Sequence, residues 1–400
     1  MIRPAWNARL AAAGLVAIAL AGACSTSTRR GGSSGGSATP TGVATATPIS
    51  TATPVGTPPS PTPWRTPAGS YIVVAGGNQN GAVSLNEVEV APINSNGSIG
   101  AWTAYANAFP TPVPSSGPGT SGTSGMWAVN TGGSNPHFLY GNASAPGGTT
   151  YSFVDEVETA GFTGGLLGAF FQAAPTTNST SVWMEAVCDD SFVYRIESTT
   201  GYGTAMVGPL AAGAVTSWTA QTAIGIDLDN AAVAEASGHI YTLGGRDSGV
   251  TVISTIYRAA VTSPGVVGAW SQAGVLPGVW RRGPHQGLGV PMPGQNYLYV
   301  IGGSWGSGNT TDCYVAAVDT SGNIGAWQSV APLPAGMDYG DAVSYRTGAG
   351  TFVAAIAGRN GSTDSSTVYY AQIGSGGTLG AWQSAPPLAT GRNMAAAVVF

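Results

Sequence analysis

The sequence predicts an all-β protein, and within that class a six-bladed β-propeller preceded by a disordered linker. Three observations carry this reading. Glycine at 61 and proline at 27 of 400 positions make the chain rich in turns. Charged side chains are only 8% of residues, too few for the exposed faces of helical bundles or coiled coils. A unit of four short apolar runs recurs, its aromatic landmarks averaging 56 residues apart, from about Ser70 to the end. A hydrophobic fraction of 43% excludes a wholly disordered chain.

Residues 1–24 read as an export signal: Arg3 and Arg9, an apolar run from Leu10 to Ala21, then small residues up to Cys24. The run is shorter than the ~20 apolar residues that span a bilayer. Leu20-Ala21-Gly22-Ala23-Cys24 resembles a bacterial lipobox, in which Cys24 is lipidated and becomes the mature amino terminus. Leu20 stands four residues before the cysteine instead of three, and Ala21-Gly22-Ala23 also fits ordinary cleavage, so plain secretion stays open. The expected location is the extracellular face of a membrane or the cell surface, with the membrane reached through the lipid.

Residues 25–67 hold 7 Ser, 11 Thr and 8 Pro, with repeated Thr-Pro steps. Such a stretch favours an extended, solvated chain, read here as a low-complexity linker that lifts the next domain off its anchor. Residues 1–65 carry five Arg and no acid, whereas residues 66–400 carry 8 Arg and all 18 acids. All 13 basic residues are Arg. The acidic balance of the larger part repels phosphate backbones and sets nucleic acid aside as a partner.

The repeat occupies residues 68–400. Gly-Ala-Trp occurs at Trp102, Trp270, Trp327 and Trp382, with degenerate copies at Phe170 and Trp218. In four copies an apolar run closes on Gly-Gly or a near match, 25 or 26 residues before the Trp: YIVVAGG, IYTLGG, YLYVIGG and FVAAIAG. Tyr257, Tyr314 and Tyr369 each stand 13 residues before their Trp, and turns such as Asp319-Thr320-Ser321-Gly322 intervene. One further apolar run follows each Trp. Four β-rich runs per unit, punctuated by Gly and Pro, describe one propeller blade.

These landmarks resemble the kelch-repeat propeller family, with its Gly-Gly after the second strand and its Tyr and Trp at fixed offsets. Between about residues 120 and 218 the Gly-Gly is missing and the Tyr gives way to Val157 and Ala205. The first copy begins on its second strand, and the chain ends on an orphan run, Met394–Phe400. Residues 383–400 joined to 70–102 make a unit of 51, the same step as the others, so the carboxyl-terminal strand is expected to complete the first blade and close the ring.

Up-and-down connectivity places the loop before each first strand and the loop after each second strand on one face, called the upper face here. It gathers Asn78, Arg246, Asp247, Trp305, Arg359 and Asn360 from the second kind of loop, and Trp280, Arg281, Arg282, His285, Asp338, Tyr339, Arg392 and Asn393 from the first. Arg282, His285 and Arg392 match Arg and His positions that kelch repeats often carry. Aromatic faces stack on sugar rings and Arg bonds carboxylates bidentately, so Trp280, Arg281, Arg282, His285, Trp305, Tyr339, Arg246, Arg359 and Arg392 are the candidate binding residues. The competing reading is that these Arg tie neighbouring blades through backbone carbonyls and that a loop Trp plugs the channel. The expected role is a non-catalytic, carbohydrate-binding or protein-binding module without a cofactor. A structural role in a surface layer or fibre is the third alternative.

Two enzymatic alternatives follow from the resemblance. Copper oxidases resembling galactose oxidase need two His on one face; His137 and His239 each begin a second strand and belong to the lower face, leaving His285 alone on the upper one. Six-bladed kelch relatives that isomerise sialic acids need carboxylates and Arg, for which Glu185, Asp338 and Asp341 with Arg282 or Arg359 are the weak candidates. Asp227-Leu228-Asp229-Asn230 alternates oxygen ligands as calcium sites do but reads better as a turn, and no metal site is expected. Glu87/Glu89 and Glu156/Glu158 are pairs two apart on strands, expected to face solvent between blades. Cys188 and Cys313 fall on non-adjacent blades, beyond the ~7 Å that a disulfide can bridge, and are expected to be free and buried.

Overall fold

The structure is a computed structural model. It describes residues 71–400 apart from 80–82, 86, 107–124, 131–136, 145–153, 164–165, 168–170, 173–182, 190, 200–201, 212–213, 227, 229–230, 246–251, 278–286 and 306–307. The leader and linker, Cys24 included, lie outside the described residues.

Among the described residues the strands form six antiparallel sheets of four or five strands and three two-stranded hairpins. From the inside outward, the first sheet is Ala396–Val399, Tyr71–Ala75, Glu87–Pro92 and Thr103–Ala106. The second is Gly125–Asn130, His137–Ser144 and Val154–Thr163, edged by Leu166–Leu167 and Phe171–Gln172. The third is Trp183–Cys188, Phe192–Thr199 and Tyr202–Ala211, edged by Ala214–Val215 and Thr219–Ala220. The fourth is Ala232–Ala236, His239–Leu243 and Thr255–Ser263, edged by Val266–Val267 and Ser271–Val275. The fifth is Gly287–Met292, Gln295–Ile301, Cys313–Val318 and Gln328–Val330, and the sixth Asp341–Thr347, Gly350–Ile356, Val368–Gln372 and Gln383–Ser384.

Each innermost strand lies against that of the next sheet, and Ala396–Val399 touches both Asp341–Thr347 and Gly125–Asn130. The fold is a β-propeller. Its first sheet takes its innermost strand from the far end of the chain, with Ile72 opposite Val399 and Ala75 opposite Ala396. Because a blade packs on both faces, the second strands are continuous apolar runs instead of alternating ones; Thr351–Ile356 is buried throughout. The core therefore lies between sheets. Ile72, Val74 and Ile99 of the first pack on Tyr345, Phe352 and Ile356 of the sixth, and Tyr299, Ile301 and Val315 of the fifth pack on Val353, Ile373 and Leu379 of the sixth. Each such aliphatic side chain contributes roughly 1.5–3 kcal/mol by leaving water.

The repeated aromatics supply directional bonds between sheets. The Trp residues stand immediately before the outer strands, and their indole N–H groups donate into the preceding repeat: Trp270 to the Thr222 carbonyl at 3.0 Å, Trp382 to Ala331 at 2.8 Å and Trp102 to Pro386 at 2.9 Å. Every acceptor is four residues beyond the previous aromatic landmark. A second set runs the other way. Tyr241, Tyr299 and Tyr345 donate their hydroxyls to the carbonyls of Gly322, Gly377 and Gly97, at 2.7–2.8 Å, in turns of the next sheet. Each such bond contributes about 0.5–1.5 kcal/mol net, and the buried carbonyl would lose more if left bare.

Candidate functional site

The upper face is built on the glycine pairs. In the first, fourth, fifth and sixth sheets the second strand ends in two residues of positive φ: Gly76 at 59° and Gly77 at 95°, Gly244 at 66° and Gly245 at 101°, Gly302 at 64° and Gly303 at 105°, Ala357 at 57° and Gly358 at 98°. The first value is ordinary left-handed backbone, which Ala357 adopts at a modest cost. The second lies beyond it and is open to glycine. A Cβ on Gly358 would stand 2.6 Å from the Asp338 carbonyl oxygen, and one on Gly77 would stand 2.7 Å from that of Asn393.

This close approach knits the loops together. Gly303 N donates to Met337 O at 2.8 Å, Asp338 N to Arg359 O at 3.0 Å, Gly358 N to Arg392 O at 2.9 Å, Asn78 N to Asn393 O at 2.8 Å and Met394 N to Tyr339 O at 2.7 Å. Loops of the fifth, sixth and first sheets thus form one backbone-bonded floor.

The side chains on this floor divide sharply. Arg359 keeps 29% of its side chain exposed. Its Nε bonds Asp364 Oδ1 at 3.2 Å, and its guanidinium lies 5.9 Å from the centroid of the Tyr339 ring. Asp364 is held from behind by the Asn393 amide, 2.6 Å away. The guanidinium is therefore positioned while part of it faces water.

Arg392 is the opposite case. At 0% exposure it bonds both Glu87 and Glu89 and reaches the carbonyls of Gly76 at 3.1 Å and Thr390 at 3.2 Å. Glu89, also 0% exposed, accepts Ala389 N at 2.8 Å through its other oxygen. Two expectations are corrected here. Arg392 is not presented to a ligand, and Glu87/Glu89 do not face solvent together. They project toward the loop that precedes the last strand, where burial of a guanidinium demands carboxylate partners.

Tyr339 is 6% exposed and Asp338 7%, so neither is an open platform; Asn309 Nδ2 stands 3.4 Å from the Asp338 carboxylate. Asp341 accepts Ala342 N at 2.7 Å and Ala397 N at 2.5 Å, so its carboxylate pins the last strand to the sixth sheet. These engagements count against Asp338 and Asp341 as acid and base. Glu185 lies on the innermost strand of the third sheet and Trp305 in the hairpin Ser304–Trp305/Gly308–Asn309. Trp280, Arg281, Arg282, His285, Arg246 and Asp247 lie outside the described residues. His137 and His239 begin second strands, as their positions suggest. Asp364 and Asn309 were missed; the signal was there, since both follow the glycine pair in a short hairpin.

Neither Cys188 nor Cys313 forms a disulfide. Burial pushes the Cys313 thiol up to about 12, so it is inert at neutral pH. Cys188 is half-buried, short of the burial expected for it, because it ends its strand. Among the described residues no group of three or more His, Cys, Asp or Glu gathers as metal ligands do, and no helix is long and apolar enough to cross a membrane.

One acid stands out on the lower side. Glu235, 9% exposed on the innermost strand of the fourth sheet, receives one long bond from Gly238 N at 3.4 Å. Desolvation holds its carboxyl well above the usual carboxylate range, with the charge of Asp189 a smaller contribution. The unfolded chain therefore ionises first as pH rises. The stability that the neutral carboxyl contributes is complete below the ordinary carboxylate value and is lost as pH climbs toward the raised folded one. Glu235→Gln is expected to flatten that decline and to be more stable than the parent at pH 7; urea midpoints at pH 4, 5.5 and 7 that fall in parallel for both proteins would exclude it.

No protein-family description matches this chain, and no curated protein matches it either. Solved structures do match. One described as "Structure of YjhT" superposes with a TM-score of 0.48 at 11% identity, covering 82% of this chain and 99% of that one.

Proposed function

We propose that this protein is an exported, lipid-anchored surface protein whose six-bladed, kelch-like propeller binds a glycan or a protein without catalysis. The ring reading is supported by the six consecutive sheets and by the Trp102–Pro386 and Tyr345–Gly97 bonds, which join the last repeat to the first just as neighbours are joined elsewhere. The anchor and the linker rest on the leader sequence around Cys24 and the Pro/Thr-rich stretch after it.

The observation that carries binding is Arg359. It is a partly exposed arginine, braced by Asp364 and lying over Tyr339, on a floor of bonded loops. Preorganised donors of this kind recognise carboxylates and sugar hydroxyls at low entropic cost. Asp338 and Asp341, by contrast, are buried or committed to backbone amides, which favours binding over the sugar-modifying alternative.

The test is a glycan and cell-wall polysaccharide array probed with the parent, an Arg359→Ala variant and a Trp280→Ala/Trp305→Ala double variant. The parent is expected to be retained. Arg359→Ala is expected to weaken retention by about tenfold or more, corresponding to about 1.4 kcal/mol. Unchanged retention by both variants would remove the upper face as the site, and turnover of a bound glycan that Asp341→Asn abolishes would replace binding by catalysis.

A further inference from the structure

The upper face carries an asparagine set up to modify itself. We propose that Asn360 deamidates spontaneously through attack by the Gly361 amide, adding a negative charge beside Arg359.

Asn360 is exposed and ends one strand of the hairpin Arg359–Asn360/Thr363–Asp364. Among the described residues no hydrogen bond restrains its carboxamide. Gly361 follows in the turn with φ of 64°, and nothing stands within 4 Å of where its Cβ would be. The reaction needs that freedom. The Gly361 nitrogen, losing its proton to solvent, bonds to Cγ of Asn360; the Cγ–NH2 bond breaks and ammonia leaves. Water then opens the five-membered succinimide at either carbonyl, giving aspartate or isoaspartate. No oxidant, cofactor or enzyme is required.

A second Asn-Gly pair shows what protection looks like. Asn96 is also exposed, but its Oδ1 accepts from both Ser98 N at 3.0 Å and Ser98 Oγ at 2.8 Å. Gly97 N is committed to Asn94 O at 2.9 Å, and Gly97 O accepts the Tyr345 hydroxyl at 2.7 Å. The Phe352 ring lies within 2.0–2.5 Å of where a Gly97 Cβ would be. Nucleophile and electrophile are both held at Asn96, whereas at Asn360 no described residue holds either. Asn80-Gly81 lies outside the described residues.

The consequence is local. The new carboxylate stands one residue from Arg359 in the same hairpin, and its negative charge lowers the attraction of this part of the face for an anionic ligand. This last step rests on Arg359 as the binding residue; the modification itself does not.

The experiment incubates the full chain and an Asn360→Gln variant at pH 8, with peptide mapping, isoaspartate detection and anion-exchange chromatography over time. The expected result is an amide-to-acid mass gain on the Asn360 peptide ahead of the Asn96 peptide, with a later-eluting acidic species that Asn360→Gln lacks. Equal or faster conversion at Asn96, or no conversion at Asn360, overturns the proposal. A freshly made Asn360→Asp variant separates the two claims: retention equal to the parent's on the array would detach the modification from binding while leaving the chemistry intact.

Discussion

Gly289→Ala is expected to cost more than about 3 kcal/mol of stability, beyond the usual range for core overpacking, because its Cβ meets backbone. Gly289 sits on the innermost strand of the fifth sheet, paired with Leu298. A Cβ there would lie 1.5 Å from the carbonyl oxygen of Glu235, on the innermost strand of the fourth sheet, and 2.6 Å from its carbonyl carbon. A flexible side chain could swing aside, but two strands each fixed in its own ladder must separate. Gly348 is the matched control, since nothing stands within 4 Å of its Cβ position. Urea unfolding of Gly289→Ala and Gly348→Ala beside the parent measures the difference; equal midpoints for the two variants would show that the inner strands approach less closely.

Removing the Arg392 side chain should have a comparable effect for an electrostatic reason. Arg392→Met keeps much of the volume and leaves Glu89 buried with its charge uncompensated, for an expected loss of about 3–5 kcal/mol. Glu89→Gln should cost less, because Ala389 N can still donate to the amide oxygen and Arg392 keeps Glu87. The double variant Arg392→Met/Glu89→Gln should recover a good part of the loss, since the one carboxylate left without Arg392 is Glu87, whose side chain is 17% exposed and reaches water. Thermal melts of the three variants beside the parent give the coupling energy, and strict additivity would mean that the pair is not coupled in the folded state. The ion pair also links residues 303 positions apart in sequence, so its loss should reach the seam where the last strand meets the first sheet.

The strands were readable because a blade is a local object. Apolar runs of five to seven residues, Gly pairs at their ends and an aromatic before each outer strand recur on one period, and each rests on backbone sterics or on burial of both faces. The pairing of Ala396–Val399 with Tyr71–Ala75 was readable too, because one repeat lacked an inner strand and one run had no repeat. The side-chain assignments on the upper face were less so. Loop position alone makes Arg359 and Arg392 equivalent, yet one is partly exposed and the other is enclosed between two glutamates.

The sequence by itself determined the period, the strand order within each sheet and the glycine turns, and all of these but the closing pairing of the first sheet depend on residues close together in the chain. Tertiary structure alone decided which polar side chains are consumed by the fold and which remain at the surface. Glu87 and Glu89 alternate along their strand in a pattern that solvent exposure would equally explain; Glu89 is buried and Glu87 largely covered because Arg392, more than 300 residues away, is brought against them. Exposure is a property of what the rest of the chain leaves uncovered, and for a charged group the cost of burial is met by a partner that local sequence does not contain.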